Sequence, residues 1–198
     1  MIAEQRKLDA ITPGSIAEFI SGAFSADRIV IAGSNIPHEE LVRLAEVSLG
    51  DFASTGSAVT VPSQYTGGSV SIPGDGPGHF AIGFEGVSWA DDDLVPVCVL
   101  HTLLGGGGSF SSGGPGKGMY TRLFSEILNR REWVSSAIAF NHCYSDTGLF
   151  GIHASCQDPA NLNNLIEVVT EQAGKMANAL GSDELERAKN MTKSSLIM

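Results

Sequence analysis

The strongest chemical signal in this 198-residue sequence is a fourteen-residue run between Leu104 and Met119. It reads Gly105, Gly106, Gly107, Gly108, Ser109, Phe110, Ser111, Ser112, Gly113, Gly114, Pro115, Gly116, Lys117, Gly118, and eight of the fourteen are glycine. Ordering glycine costs roughly 0.5–1 kcal/mol per residue relative to alanine in regular structure, so packing alone is a poor reason for the run. A phosphate-binding loop would need glycine at Ser111 and a hydroxyl at Gly118, and both fail. The dinucleotide fingerprint G-x-G-x-x-G cannot be placed in the run, which follows a helical pattern rather than a strand. Two readings remain: a tether between helices, and a backbone surface able to contact or admit an extended ligand.

Other reactive residue types are scattered. His38-Glu39-Glu40-Leu41-Val42 begins like a zinc-protease helix, but Val42 stands where both the direct and the inverted motif need histidine. His38 and Glu39 then read as residues at a helix N-terminus. A four-residue turn at Ser145–Gly148 would set His142 and His153 diagonally on one sheet face. With His101 or Cys143 they could hold a metal, yet no recognised ligand spacing supports this. No Ser/His/Asp or Cys/His set declares itself. Asp91-Asp92-Asp93 suits a helix dipole, with attraction of a cationic peptide as the minor alternative.

Composition narrows the function classes. A net charge of −10 disfavours nonspecific nucleic-acid binding and attracts basic partners. Cys98, Cys143 and Cys156 form no CxxC pair, which points to reduced thiols. No apolar run approaches the roughly 20 residues of a membrane span. Met1 to Lys7 lacks the apolar region of a signal peptide, so any targeting segment is expected upstream.

The elements that must position the glycine run follow from periodicity. Thr12-Pro13 opens a helix, Arg28–Gly33 reads as a buried strand, and Pro37 starts a helix closed by Gly50. That helix–strand–helix unit needs a larger sheet. Ala53–Gly68, rich in Ser, Thr and Gly, reads as a linker. Ser69–Ile72 and His79–Gly86 alternate as half-buried strands. A helix from Leu94 to Leu104 runs into the glycines and resumes at Met119, burying Leu123, Phe124, Ile127 and Leu128, with Arg122 and Glu126 spaced as an ion pair. Ser136–Tyr144 and Leu149–Cys156 form a hairpin. A long helix from Asp158-Pro159 carries Leu162, Leu165, Ile166, Val169, Ala173, Met176 and Leu180 on one face. Ser182 and Asp183, with Glu186, suggest a capping box for a last helix that reaches Met198 without a stop signal.

Leu103-Leu104-Gly105 through Gly118-Met119-Tyr120-Thr121-Arg122-Leu123-Phe124 resembles the glycine-rich loop of mitochondrial processing-peptidase alpha subunits, in the pitrilysin-like zinc peptidase family. Leu128-Asn129-Arg130, Tyr144 to Leu149 and Ile152-His153-Ala154-Ser155 are similar in the same order. The resemblance implies an α+β fold, antiparallel-dominated sheets packed with helices. It makes residues 1–57 the C-terminal part of a first peptidase-like domain, 58–67 a linker, and 68–198 the N-terminal part of a second. It also implies a noncatalytic subunit whose Gly105–Gly118 loop binds basic amphipathic presequence peptides. The partner would be a beta subunit holding the zinc, with no cofactor, no nucleic acid and no membrane span in this chain. The implied location is the mitochondrial matrix or the inner-membrane surface. A structural core subunit of respiratory complex III is the alternative within the same family.

Overall fold

The computed structural model describes residues 5–52, 61–106, 118–178 and 180–197. Two compact units divide the chain, Met1–Val61 and Pro62–Met198.

The first unit is helical among its described residues. It comprises α1 (Gln5–Asp9), α2 (Pro13–Ala23), a 3-10 turn at Ala26–Arg28 and α3 (His38–Leu49). The start of α2 is locally encoded: the Thr12 hydroxyl accepts from the Ser15 amide at 3.2 Å, and the Ser15 hydroxyl accepts from the Thr12 amide at 2.9 Å. Arg28–Gly33 is not a strand. Its first residue closes the 3-10 turn, and Val30 is 92% exposed. A short apolar run becomes a strand only where a neighbouring edge completes its ladder, and this unit has no strand among the described residues. At the end of α3, Gly50 keeps right-handed torsions (φ −58°) and its amide donates to Glu46 at 2.9 Å. Gly50 is thus the C-cap, as expected, but closes the helix with right-handed torsions and not in the left-handed region.

The second unit is α+β. Three antiparallel strands, β1 (Gly78–Gly86), β2 (Val134–Cys143) and β3 (Gly148–Cys156), lie in the order β1-β3-β2. Helices α4 (Leu94–Leu104), α5 (Arg122–Glu126), α6 (Leu162–Lys175) and α7 (Ser182–Ile197) complete it. One sheet face carries Phe80 and Ile82, Ile152 and Ala154, and Ala137 and Ala139 in matched register. Leu165 and Val169 of α6, Leu123 of α5, Ile127 and Leu104 join them in a single core. Leu123, Ile127, Leu165 and Val169 have no exposed surface. Each such side chain contributes about 1.5–3 kcal/mol relative to exposure.

Several sequence expectations shift here. Ser69–Ile72 forms no strand, and Val70 and Ile72 are each 85% exposed. The chain before it is held by side chains instead: the Ser63 amide donates to Asp146 at 2.7 Å, and the Tyr65 hydroxyl donates to the Gly83 carbonyl at 3.2 Å. The hairpin turns one residue earlier than expected, with the Tyr144 amide donating to the Thr147 carbonyl at 2.8 Å and Cys143 facing Gly148. Met119 to Thr121 form a turn, and α5 starts only at Arg122. Helix α6 follows a 3-10 turn at Pro159–Asn161 and stops at Lys175, leaving Leu180 outside it. Helix α7 already includes Ser182 and Asp183, which were expected to cap it, and Glu186 pairs with Lys189 at 2.8 Å.

Candidate functional site

Helix α4 delivers the glycine run. Pro96 sits in its first turn, where a missing N–H leaves no bond unmade. At the far end, Gly105 has φ 130°, a conformation that L side chains rarely adopt. The Gly105 and Gly106 amides both donate to the His101 carbonyl, at 3.1 and 2.8 Å. This closes the helix and turns the chain onto the sheet.

The outgoing stem docks against the outer edge of β2. Gly106 forms an isolated parallel bridge with Ala139, and the Ala139 amide donates to the Gly105 carbonyl at 3.2 Å. The Ala139 carbonyl accepts from His101 Nε2 at 3.1 Å, which requires the proton on that nitrogen. Gly106 lies so close to the imidazole that a Cβ there would overlap the ring. Burial, the largest influence, pushes the His101 pKa down. The hydrogen bond to Ala139 opposes this, and the neighbouring His142 adds to it.

The returning stem ends on Thr121. Its hydroxyl donates to the Gly118 carbonyl at 2.9 Å, and the side chain is almost fully buried. A Cβ on Gly105 would lie 3.1 Å from that same hydroxyl oxygen. One buried threonine therefore meets both stems. Thr121 occupies the N-cap position of α5 without capping it, because its hydroxyl is directed back to Gly118. Beyond it, Arg122 makes a bidentate ion pair with Glu184 of α7, and the Arg187 guanidinium lies 5.5 Å from the Tyr120 ring centre.

Of the fourteen candidate residues, Gly105, Gly106 and Gly118 are placed, and Gly107–Lys117 lie outside the described residues. The stems they emerge from are built from His101, Ala139 and Thr121. Sequence reasoning gave none of these a role at the loop. A histidine in the last helical turn before a glycine carries a weak local signal for the helix end. Its partner, 38 residues away, carries none.

The candidate metal ligands do not converge. With the observed register, His142 faces Leu149 and His153 faces Ile138. The two sites are four residues apart along the strand, about 13 Å at 3.3 Å per residue. His153 instead stacks on His79 at 5.6 Å, and His142 on Phe140 at 5.5 Å. Among the described residues no three His, Cys, Asp or Glu side chains are placed to hold a metal. These residues do not fit the zinc of a peptidase centre.

Helix α4 also walls two apolar hollows. One, of about 790 Å³, lies against α7 and is lined by Val95, Val99, Leu103, Leu185 and Leu196, with Lys189 and Lys193 also at its wall. The other, of about 400 Å³, lies between α4, α6 and the sheet, against Phe84, Leu100, Ile152 and Met176. No described helix is long and apolar enough to cross a membrane.

Comparison with known proteins gives the arrangement a setting. The family described as "Peptidase M16 inactive domain" matches residues 10–192. The bovine mitochondrial-processing peptidase subunit alpha is 41% identical over 91% of this chain and 38% of its own length. The human subunit is 39% identical over the same shares. The Neurospora crassa subunit is 32% identical over 100% of this chain and 48% of its own. The chain thus spans less than half the length of these relatives. The crystal structure of a peptidase M16 inactive domain from Pseudomonas fluorescens superposes with TM-score 0.73 at 21% identity, over 96% of this chain and 45% of that one. This last likeness is one of fold.

Proposed function

Because the chain belongs to the peptidase M16 inactive-domain family, we propose that it is the noncatalytic, substrate-recognising part of a mitochondrial processing peptidase. It binds basic amphipathic targeting presequences through Gly105–Gly118 and hands them to a beta subunit that carries the catalytic zinc. Its place is the mitochondrial matrix, and residues 1–57 and 68–198 are parts of two successive peptidase-like domains joined by 58–67.

The observation that carries this reading is the frame of the glycine run, with its outgoing stem on the edge of β2 and its returning stem on Thr121. Its eight glycines carry no side chains to bury. Held at both ends, it offers backbone donors and acceptors to an extended peptide. The net charge of −10 attracts a basic peptide over distances set by screening. Lys117 opposes that attraction, so Ser109, Phe110, Ser111, Ser112 and the backbone are the contacts.

The test is fluorescence anisotropy with a labelled presequence peptide, basic and amphipathic, against the chain and a variant lacking Gly107–Gly114. Affinity should fall at least tenfold, about 1.4 kcal/mol, and the thermal midpoint should stay near that of the parent. Equal affinity in the two proteins would leave the run as a tether.

A further inference from the structure

We infer that His79 and His153 form a two-histidine site for a divalent transition-metal ion of the imidazole-binding type, zinc or copper, on the sheet face turned away from the core. The site is separate from the glycine run and does not depend on how that run is read.

Strand alternation sets the pair. Phe80, Ile82, Ile152 and Ala154 point into the core, so His79 and His153, one residue out of phase with them, lie on the opposite face. In register His79 faces Ser155 and His153 faces Ala81, which makes the two histidines diagonal neighbours on adjacent antiparallel strands. Both flanking residues are small, and the Ser155 hydroxyl is engaged with that of Ser136 at 2.7 Å. The imidazoles stack on each other instead, with ring centres 5.6 Å apart and planes 18° from parallel. His79 is exposed and His153 half-buried, so an ion reaches the pair from solvent.

The nitrogens of this pair are not otherwise used. His101 commits its Nε2 to the Ala139 carbonyl. Among the described residues, no ring nitrogen of His79 or His153 has a protein hydrogen-bond partner. A neutral imidazole carries one acceptor nitrogen, and here both acceptors are free. Burial first, and then the neighbouring His79, pushes the His153 pKa down, which keeps that ring neutral and able to ligate at neutral pH.

The spacing suits one shared ion. A metal about 2.0–2.1 Å from one nitrogen of each ring sets the ring centres roughly 5 Å apart at a tetrahedral angle. The observed separation is close to that, and rotation about the soft χ2 of histidine supplies the rest. Imidazole suits zinc and copper, with copper the tighter of the two. Water completes the shell, because no third His, Cys, Asp or Glu among the described residues is placed to join the pair. The ion would brace the edge strand β1 against the central β3.

The experiment uses the full untagged chain, stripped with a chelator, beside His79→Gln, His153→Gln and His142→Gln. Zinc binding is measured by titration calorimetry in a non-coordinating buffer, copper coordination by electron paramagnetic resonance, and folding by circular dichroism. The parent should take up one saturable equivalent of zinc, and its copper spectrum should show two coordinated nitrogens. His79→Gln and His153→Gln should each weaken zinc binding at least tenfold and leave one coordinated nitrogen. His142 shares the face but stacks on Phe140, so His142→Gln should bind like the parent. If one variant of the pair does not fold, the other carries the test. No saturable binding by the parent, parent-like binding by a folded variant of the pair, or an equal loss in His142→Gln overturns the inference.

Discussion

Arg122 grips Glu184 with both arms of its guanidinium, Nε donating to one carboxylate oxygen at 2.5 Å and Nη2 to the other at 2.8 Å. Four residues further on stands Glu126, the helical neighbour that the i,i+4 spacing offers. Glu126 instead pairs with Arg130 at 2.9 Å. The long-range choice matters because Arg122 directly follows the loop-clasping Thr121. It ties the returning stem to α7, and its Nη1 also reaches the Met176 sulfur at 3.5 Å, just beyond α6.

Breaking that pair should destabilise the second unit. Both side chains are about one-fifth exposed, 18% and 24%, so solvent screens the pair only partly. Glu184→Gln should lower stability by about 1–2 kcal/mol in urea unfolding, the roughly 1.5–3 kcal/mol of hydrogen bonds to charged groups reduced by partial solvent screening. In a cycle with Arg122→Gln, the double variant should lose less than the sum of the singles. Strict additivity would mean that the pair contributes nothing by itself.

The pH dependence should have two windows. His101 and His153 both have their pKa values pushed down, first by burial, with His142 and His79 respectively adding to the effect. The folded state then binds these protons less readily than the unfolded state. Stability is unaffected above the ordinary histidine value of about 6.5 and falls as pH drops below it. Glu184 has its pKa pushed down, first by the Arg122 hydrogen bond. Its contribution is present above the ordinary glutamate range and is lost as pH falls through the lower folded value. Urea midpoints at pH 7.5 and 5.5 should differ in the parent, and the drop should shrink in a His101→Asn, His153→Asn double variant. An equal drop in both proteins would assign the slope to other groups.

Gly106→Ala should displace the outgoing stem, because the new methyl would occupy the space of the His101 ring. Overpacking of this kind costs about 1–3 kcal/mol. Replacing His101 with alanine in the same chain should recover part of the loss. Amide hydrogen exchange at Ala139 offers a local readout, since its N–H is bonded to Gly105. Unchanged protection of Ala139 in Gly106→Ala would show that the stem tolerates a side chain there.

Two apolar truncations should separate core from surface. Leu123→Ala removes a side chain with no exposed surface and should cost about 2–5 kcal/mol. Val30→Ala alters one that is 92% exposed and should stay within about 0.5 kcal/mol of the parent. A large loss at Val30 would restore the buried strand expected for Arg28–Gly33.

What could be read from the sequence was local. The Thr12 cap, the helix entering at Leu94, the alternation of His79–Gly86 and the α6 face of Leu165 and Val169 depend on neighbours within a turn or along one strand. Their physical causes lie within a few residues, so residue order expresses them. The glycine run was also plain from composition. Tertiary structure decided everything that required a partner distant in sequence. Arg28–Gly33 and Ser69–Ile72 have strand-like patterns without a strand's structure, because a ladder needs a second edge that periodicity does not supply. The hairpin turned one residue early and separated His142 from His153, since register is shared between two strands and the turn. Arg122 took Glu184 over Glu126, and His101 took Ala139, across 62 and 38 residues. Only folding brings those atoms within hydrogen-bonding distance, and those contacts hold the two stems of the glycine run.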